Sequence, residues 1–252
     1  MPKAEVHIGT SGWHYKHWLG KFYPAKFPPA RMLAYYSQHF STVEINNSFY
    51  RLPPEESLVQ WRQTVPEGFC FAVKASRYIT HMKRLLDPEN AVDRFFSRIE
   101  LLGPSLGPIL FQLPPKWCAN AERLENFLSV LPRNHRYVFE FRDQSWCVSR
   151  IYDILRRHNA ALCLHDWGAL PWPSQFTADF AYIRFHGATG DYSGDYSPQT
   201  LQQWALQIRG WQSKLKAIYI YFNNDLGGYA ITNAQALAKL LHTPASWVDR
   251  VA

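Results

Sequence analysis

Eight short apolar runs recur along the chain, each ending at or beside a polar residue, with helix-like stretches between most of them. They are Val6–Ser11, Thr42–Asn46, Phe69–Ser76, Pro108–Leu113, Tyr137–Arg142, Ala161–Asp166, Ala181–His186 and Ala217–Asn223. Strands that alternate with helices build parallel β/α units, and eight such units predict an α/β chain closed into a single (β/α)8 TIM-type barrel. The length of 252 residues suits one such domain over residues 1–252. In this architecture chemistry gathers at the strand C-termini, so the polar residues that end the runs become the site candidates.

The connecting helices show one apolar stripe each. Val92, Phe95, Phe96 and Ile99 are spaced i, i+3, i+4, i+7, as are Leu124, Phe127, Leu128 and Leu131, and Leu201, Trp204, Ala205 and Ile208. Asp87-Pro88 and Ser197-Pro198 read as N-cap residues followed by proline in the first turn. One β/α unit is irregular: between the sixth and seventh runs, Trp167–Ser174 holds too many breakers for a full helix and predicts a loop over the barrel mouth.

No apolar stretch reaches the ~18–20 residues that cross a bilayer, and no targeting signal is visible, so the expectation is a cytoplasmic protein without membrane partners. Cys70, Cys118, Cys147 and Cys163 form no C-x-x-C pair; Cys70 and Cys163 fall within strand runs, as buried reduced thiols do. A net charge of +7 and a pI near 9.2 favour acidic partners, although much of the excess is spread over helices, as at Arg150, Arg156 and Arg157.

Residues two apart on a strand share a face. Glu140 with Arg142, Arg184 with His186, Lys74 with Ser76 and Glu44 with Asn46 therefore point together, while Phe139, Phe141, Ile183 and Phe185 take the opposite, helix-facing side. Gln112, Asp166 and Asn223 complete a polar ring. Strand order predicts pairing of Glu44 with Lys74 and of Glu140 with Arg142, with Asp166 between Arg142 and Arg184 and His186 as a swing charge. Such a ring reads either as a self-satisfied network that caps the core or as a polarised site. The second is preferred, because purely structural barrel layers are filled by Val, Ile and Leu. Lys74, Arg142 and Arg184 then hold an anion, Glu140 is the first choice of acid/base, and Glu44, Asp166 and His186 support it.

Three cations beside the carboxylates work against a tight metal, and no H-E-x-x-H spacing exists. A retaining-glycosidase pair is disfavoured, since the fourth and seventh strands end in Gln112 and in Arg184 and His186. Neither a Gly-rich dinucleotide fingerprint nor a P-loop is present, so no nucleotide cofactor is supported and the cofactor stays unassigned.

Beyond the first strand, Trp13, Tyr15 and Trp18 interleave with His14, Lys16, His17 and Lys21. That loop either stacks bases or sugars while attracting phosphate, or folds its aromatics into a small core of its own. Trp146 and Trp167, just past the fifth and sixth strands, extend the same apolar rim. Arg77, Lys83 and Arg84 add a basic rim at the third-strand exit, and Asn223–Tyr229, with Gly227 and Gly228, leads into a helix expected near Thr232-Asn233.

These stretches together resemble the family known as domain of unknown function 72, or YecE-like. The resemblance rests on Gly9-Thr-Ser-Gly-Trp with Phe22-Tyr-Pro, Val43-Glu-Ile-Asn-Asn-Ser-Phe-Tyr-Arg-Leu-Pro, Phe71-Ala-Val-Lys-Ala-Ser-Arg-Tyr-Ile-Thr-His and Gln112-Leu-Pro-Pro, then on Glu140-Phe-Arg, Arg184-Phe-His-Gly and Tyr221-Phe-Asn-Asn. It covers nearly the whole chain. It implies a TIM-type barrel similar to xylose-isomerase-like and abasic-site-endonuclease barrels, which keeps hydrolase or lyase chemistry on phosphodiesters or sugars open, and it lends no reaction of its own.

The leading expectation is an enzyme whose barrel-top pocket takes a small phosphate- or carboxylate-bearing ligand. Its substrate-binding residues are Lys74, Arg142, Arg184, Gln112, Asn46, Asn223, Trp13 and Tyr15. The rival is a non-catalytic nucleic-acid-binding protein that uses the Trp13–Lys21 loop and the basic rim.

Overall fold

The computed structural model describes residues 3–166, 176–190 and 192–241. Eight parallel strands form the barrel: β1 (Glu5–Thr10), β2 (Thr42–Ile45), β3 (Cys70–Lys74), β4 (Leu106–Gln112), β5 (Tyr137–Glu140), β6 (Ala161–His165), β7 (Phe180–Phe185) and β8 (Ala217–Phe222). Around them lie α1 (Met32–Tyr36), α2 (Glu55–Thr64), α3 (Glu89–Ile99), α4 (Ala121–Val130), α5 (Ser149–Arg157), α6 (Pro198–Trp211) and α7 (Tyr229–Leu241). All eight expected runs are strands. The irregular stretch Trp167–Ser174 lies outside the described residues.

Strand parity sorts the core into two layers. Ala72, Leu110, Val138, Cys163, Tyr182 and Tyr221 fill the barrel interior. Val43, Val73, Ile109, Phe139, Ile183 and Phe185 face outward against the helices. The three predicted stripes meet that outer layer: Val92, Phe95, Phe96 and Ile99 of α3 are buried, as are Leu124, Phe127 and Leu128 of α4 and Leu201, Ala205 and Ile208 of α6.

The helix starts match the sequence unevenly. Ser197 caps α6, its hydroxyl accepting from the Thr200 amide at 3.1 Å. Asp87 does not cap α3. It adopts a positive φ of 43°, Pro88 takes the N-cap place, and the Asp87 carboxylate turns to Lys83 at 3.7 Å. Likewise α7 begins at Tyr229, three residues before the expected Thr232, because Gly227 and Gly228 complete the turn at φ 95° and 83°.

Closure between β1 and β2 departs from the rest of the ladder. Among the described residues the two strands share one backbone bridge, Ser11 with Glu44. Below it the buried Tyr36 hydroxyl of α1 enters the seam: it accepts from the Thr10 amide at 3.0 Å and donates to the Thr42 carbonyl at 3.1 Å. A side chain thus completes hydrogen bonding that neighbouring backbones supply elsewhere. Gly9 makes this approach feasible, since a Cβ there would stand 2.2 Å from the Thr42 carbonyl oxygen and 3.1 Å from the Tyr36 hydroxyl.

Candidate active site at the barrel mouth

At the C-terminal end of the barrel, alternation brings Glu44, Glu140 and Arg184 inward from β2, β5 and β7, and Arg142 follows two residues beyond Glu140. All four are buried. Arg184 donates from Nη2 to Glu44 Oε1 at 2.8 Å and from Nη1 to Glu140 Oε2 at 2.7 Å. Arg142 donates from Nε to Glu140 Oε1 at 2.6 Å and pairs with the same oxygen through Nη2. Glu44 also accepts from the Ser11 hydroxyl at 2.8 Å and the Tyr182 hydroxyl at 2.6 Å. The result is a neutral chain, Glu44–Arg184–Glu140–Arg142, in which attraction and hydrogen bonds offset the desolvation of each ion. Burial alone would push the Glu140 carboxyl up, but Arg142 and Arg184 outweigh it and hold it well below the usual carboxylate range.

Two expected pairings are corrected here. Glu44 takes Arg184 rather than Lys74, because the long guanidinium arm crosses the interior whereas the β2–β3 register sets Glu44 beside Ala72, with Lys74 two residues further along. Asp166 does not sit between the arginines: its carboxylate accepts from the His186 amide at 2.7 Å and from the Tyr196 hydroxyl. Burial raises the Asp166 pKa, against the pull of the Tyr196 and His186 hydrogen bonds.

His186 is not a swing charge. It is fully buried, and Arg142 Nη2 lies 3.2 Å from its Nε2. Arginine only donates, so Nε2 must be the unprotonated nitrogen and Nδ1 carries the hydrogen. Asn223 Nδ2 lies 3.2 Å from Nδ1, and a flip of that amide, whose two ends are assigned from hydrogen bonding, presents its oxygen to the ring hydrogen. Burial, followed by Arg184, holds the His186 pKa well below that of free imidazole. The neighbouring His165 donates from Nε2 to the Phe141 carbonyl at 3.0 Å, and burial lowers its pKa as well.

Lys74 stands apart from the quartet. Among the described residues its ammonium makes no salt bridge or hydrogen bond, and it rests over the Phe49 ring at 4.2 Å. Burial and then the Arg184 charge lower its pKa to about 8, against Glu140 and Glu44. The other face of this corner carries His81, which packs edge-on to Phe49 at 4.9 Å and is brought down to about 4 by burial and then by Lys74 and Arg77. Gln112 and Asn46 are partly buried on the adjoining strand ends, and the Asn46 side-chain oxygen Oδ1 is buried without a hydrogen-bond partner among the described residues.

The first mouth loop folds largely into its own core. Trp18 is buried, its indole donating to Asp225 at 2.6 Å, while His17 reaches the other Asp225 oxygen at 2.7 Å. Trp13 packs edge-on against Trp61 at 5.0 Å, and Tyr15 donates to the Ser11 carbonyl at 2.6 Å. Trp18 therefore offers no free face for stacking. Trp146 is buried too, donating to the Trp117 carbonyl at 2.7 Å, and Trp167 lies outside the described residues.

Four participants escaped the sequence reading: Tyr182, Cys163, Phe49 and Tyr196. Tyr182 and Cys163 share inward parity with Arg184 and His165, a signal the runs did carry. Phe49 and Tyr196 come from loops, where no period marks them. The Cys163 thiol lies 3.8 Å from Glu140, and burial followed by that carboxylate pushes its pKa well up. Among the described residues no three His, Cys, Asp or Glu side chains gather as a metal-ligating group, and no helix is long and apolar enough to cross a membrane. The mouth can hold charge, orient an anion and exchange a proton at Lys74.

Residues 7–251 match the family model described as Protein of unknown function DUF72. The UPF0759 protein YunF of Bacillus subtilis is 27% identical, with 94% of each chain covered. The UPF0759 protein YecE of Escherichia coli is 29% identical over 138 residues, 54% of this chain and 48% of YecE. A DUF72 family protein from Thermotoga maritima superposes with a TM-score of 0.85 at 30% identity, covering 94% of this chain and 99% of the other. One from Enterococcus faecalis, at 20% identity and a TM-score of 0.78 over 94% of this chain and 95% of that one, shares the fold. The chain is a DUF72 protein with a TIM-type barrel.

Proposed function

We infer that the barrel mouth is an enzyme site for a small phosphate- or carboxylate-bearing substrate, working by acid/base chemistry of a hydrolase or lyase kind. The observation that carries this reading is Lys74, an ammonium without an ion pair or hydrogen bond among the described residues, set against a charge-balanced quartet. The quartet consumes its own charges and Asp166 turns to the His186 amide and Tyr196, so among the described residues Lys74 is a mouth cation without a carboxylate partner, and an anion is its natural complement. Arg142 adds a second donor, and the Gln112, Asn46 and Asn223 amides supply orienting hydrogen bonds.

Roles follow from access. Glu140 was the first choice of acid/base, but both its oxygens are taken and its carboxyl is held ionised. In the reading favoured here Glu140, Glu44 and Arg184 form the rigid frame, His186 and Asp166 fix the β7 exit, and Lys74 is the proton-exchanging group. A pKa of about 8 leaves a usable fraction of free amine near neutral pH. Tyr15, within reach of the Glu44 and Arg184 charges, walls the mouth, while Trp13 packs against Trp61.

The test is thermal unfolding with inorganic phosphate, pyrophosphate or malonate at neutral pH, for the native chain and for Lys74→Met. Anion-dependent stabilisation that disappears in the variant supports the assignment. An equal rise in both would move the anion away from Lys74.

A further inference from the structure

A cleft of about 830 Å³ lies beside the mouth, between the exit of β2 and helix α3. One wall is an α3 stripe, Asn90, Arg94 and Arg98, spaced by four residues and running about 12 Å along the helix. The lining also includes Tyr50 and Arg51 from beyond β2, and Ser76 and Tyr78 from just past Lys74 on β3. Lys83 completes the basic lining.

The charges divide by availability. Arg98 is engaged with Glu55 at 3.2 Å and the Pro53 carbonyl at 2.9 Å, and Lys83 with Asp87 at 3.7 Å. Among the described residues the Arg51 and Arg94 side chains have no ion pair and no hydrogen bond. Both line a cleft in which Asp87, paired with Lys83, is the one acidic residue among the described lining residues. Two aromatic rings stand at the same cleft in water: Tyr50 is 76% exposed and Tyr78 46%. Exposed rings of that size next to free guanidinium groups match a ligand that repeats phosphates and flat faces. Tyr78 opens a single π-helical turn, a distortion found often at functional positions.

We propose that this cleft binds single-stranded nucleic acid, with Arg51 and Arg94 on the phosphates and Tyr50 and Tyr78 as stacking faces. This surface differs from the Trp13–Lys21 loop, whose Trp18 is buried. The occupant is a nucleic acid rather than an acidic peptide because carboxylate contacts to the arginines alone would leave both tyrosines idle. Single strands are favoured over duplex because bases must be unstacked to reach them.

The experiment is fluorescence anisotropy of a fluorescein-labelled dodecathymidylate titrated with the full chain at several salt concentrations. Binding should weaken steeply with salt. The double variant Arg51→Gln/Arg94→Gln should lower affinity at least tenfold and flatten the log–log salt slope by about 1.4, at ~0.7 per lost phosphate contact. Tyr50→Ala should weaken binding about tenfold with an unchanged slope. Lys74→Met should bind as the native chain does, which separates this cleft from the mouth. The proposal is overturned by an absence of binding at low salt, by native affinity in the double variant, or by equal competition from a polyglutamate peptide. Loss of binding in Lys74→Met alone overturns it as well.

Discussion

Arg184 of β7 reaches Glu44 of β2 across the barrel, Nη2 to Oε1 at 2.8 Å, although β8 and β1 stand between the two strands. The contact fixes the interior end of the guanidinium and leaves its other arm for Glu140.

Arg184→Met tests what that contact sustains. It leaves the buried Glu44 without a cation and Glu140 with Arg142 alone, and breaking a buried pair costs about 3–5 kcal/mol. Denaturant unfolding followed by circular dichroism should show a loss of that order. A loss below about 1 kcal/mol would mean that water reaches both glutamates in the native state.

Acid should erode stability in a defined order. His186, His165 and His81 all have lowered pKa values in the folded chain, His81 to about 4. The unfolded chain takes up those protons first, below about 6.5, so the stabilisation is complete above that pH and is lost as pH falls. Glu140 acts in the same direction over a lower range: its contribution is present above the ordinary Glu value, ~4.3, and is lost as pH falls through its depressed folded value. Urea midpoints between pH 8 and 4 should fall from about pH 6.5 onward. A flat profile down to pH 5 would contradict the neutral, buried His186.

Lys74 acts with the same sign in the alkaline range. Between about 8 and its usual 10.5 the unfolded chain keeps a proton that the folded chain has released, so this residue makes stability rise with pH across that window. Acylation followed by peptide mass spectrometry should show Lys74 reacting with a midpoint near 8. Adding phosphate should shift that midpoint upward.

Thiol access separates the cysteines. Cys163 is buried and its thiol is pushed well up, while Cys118 is exposed. Iodoacetamide on the native chain should label Cys118 and spare Cys163 until denaturant is added.

Gly9→Ala probes the seam. A methyl group 2.2 Å from the Thr42 carbonyl must displace backbone. The expected loss is about 1–3 kcal/mol, the range of an overpacked core, read from the melting temperature.

Much of this was legible from the chain. Two-residue alternation placed Glu140, Arg142, Arg184 and His186 on the inner face, because parity is a local property of a strand. Partner choice was not local. Glu44 and Lys74 end neighbouring strands, so adjacency suggested a pair, yet barrel curvature and the reach of Arg184 decided otherwise. Trp18 illustrates the same limit in a loop: an aromatic between basic residues reads as a contact surface until a distant carboxylate, Asp225, claims its indole.

The β1–β2 seam is drawn together by a tyrosine hydroxyl, a missing side chain at Gly9 and the anchoring of Glu44, with backbone pairing among the described residues confined to one bridge. Glu44 thus belongs to both the seam and the charged layer. Shutting the cylinder and assembling the mouth are consequently one event, and any force that pulls Glu44 from Arg184 acts as a wedge driven into the wall itself.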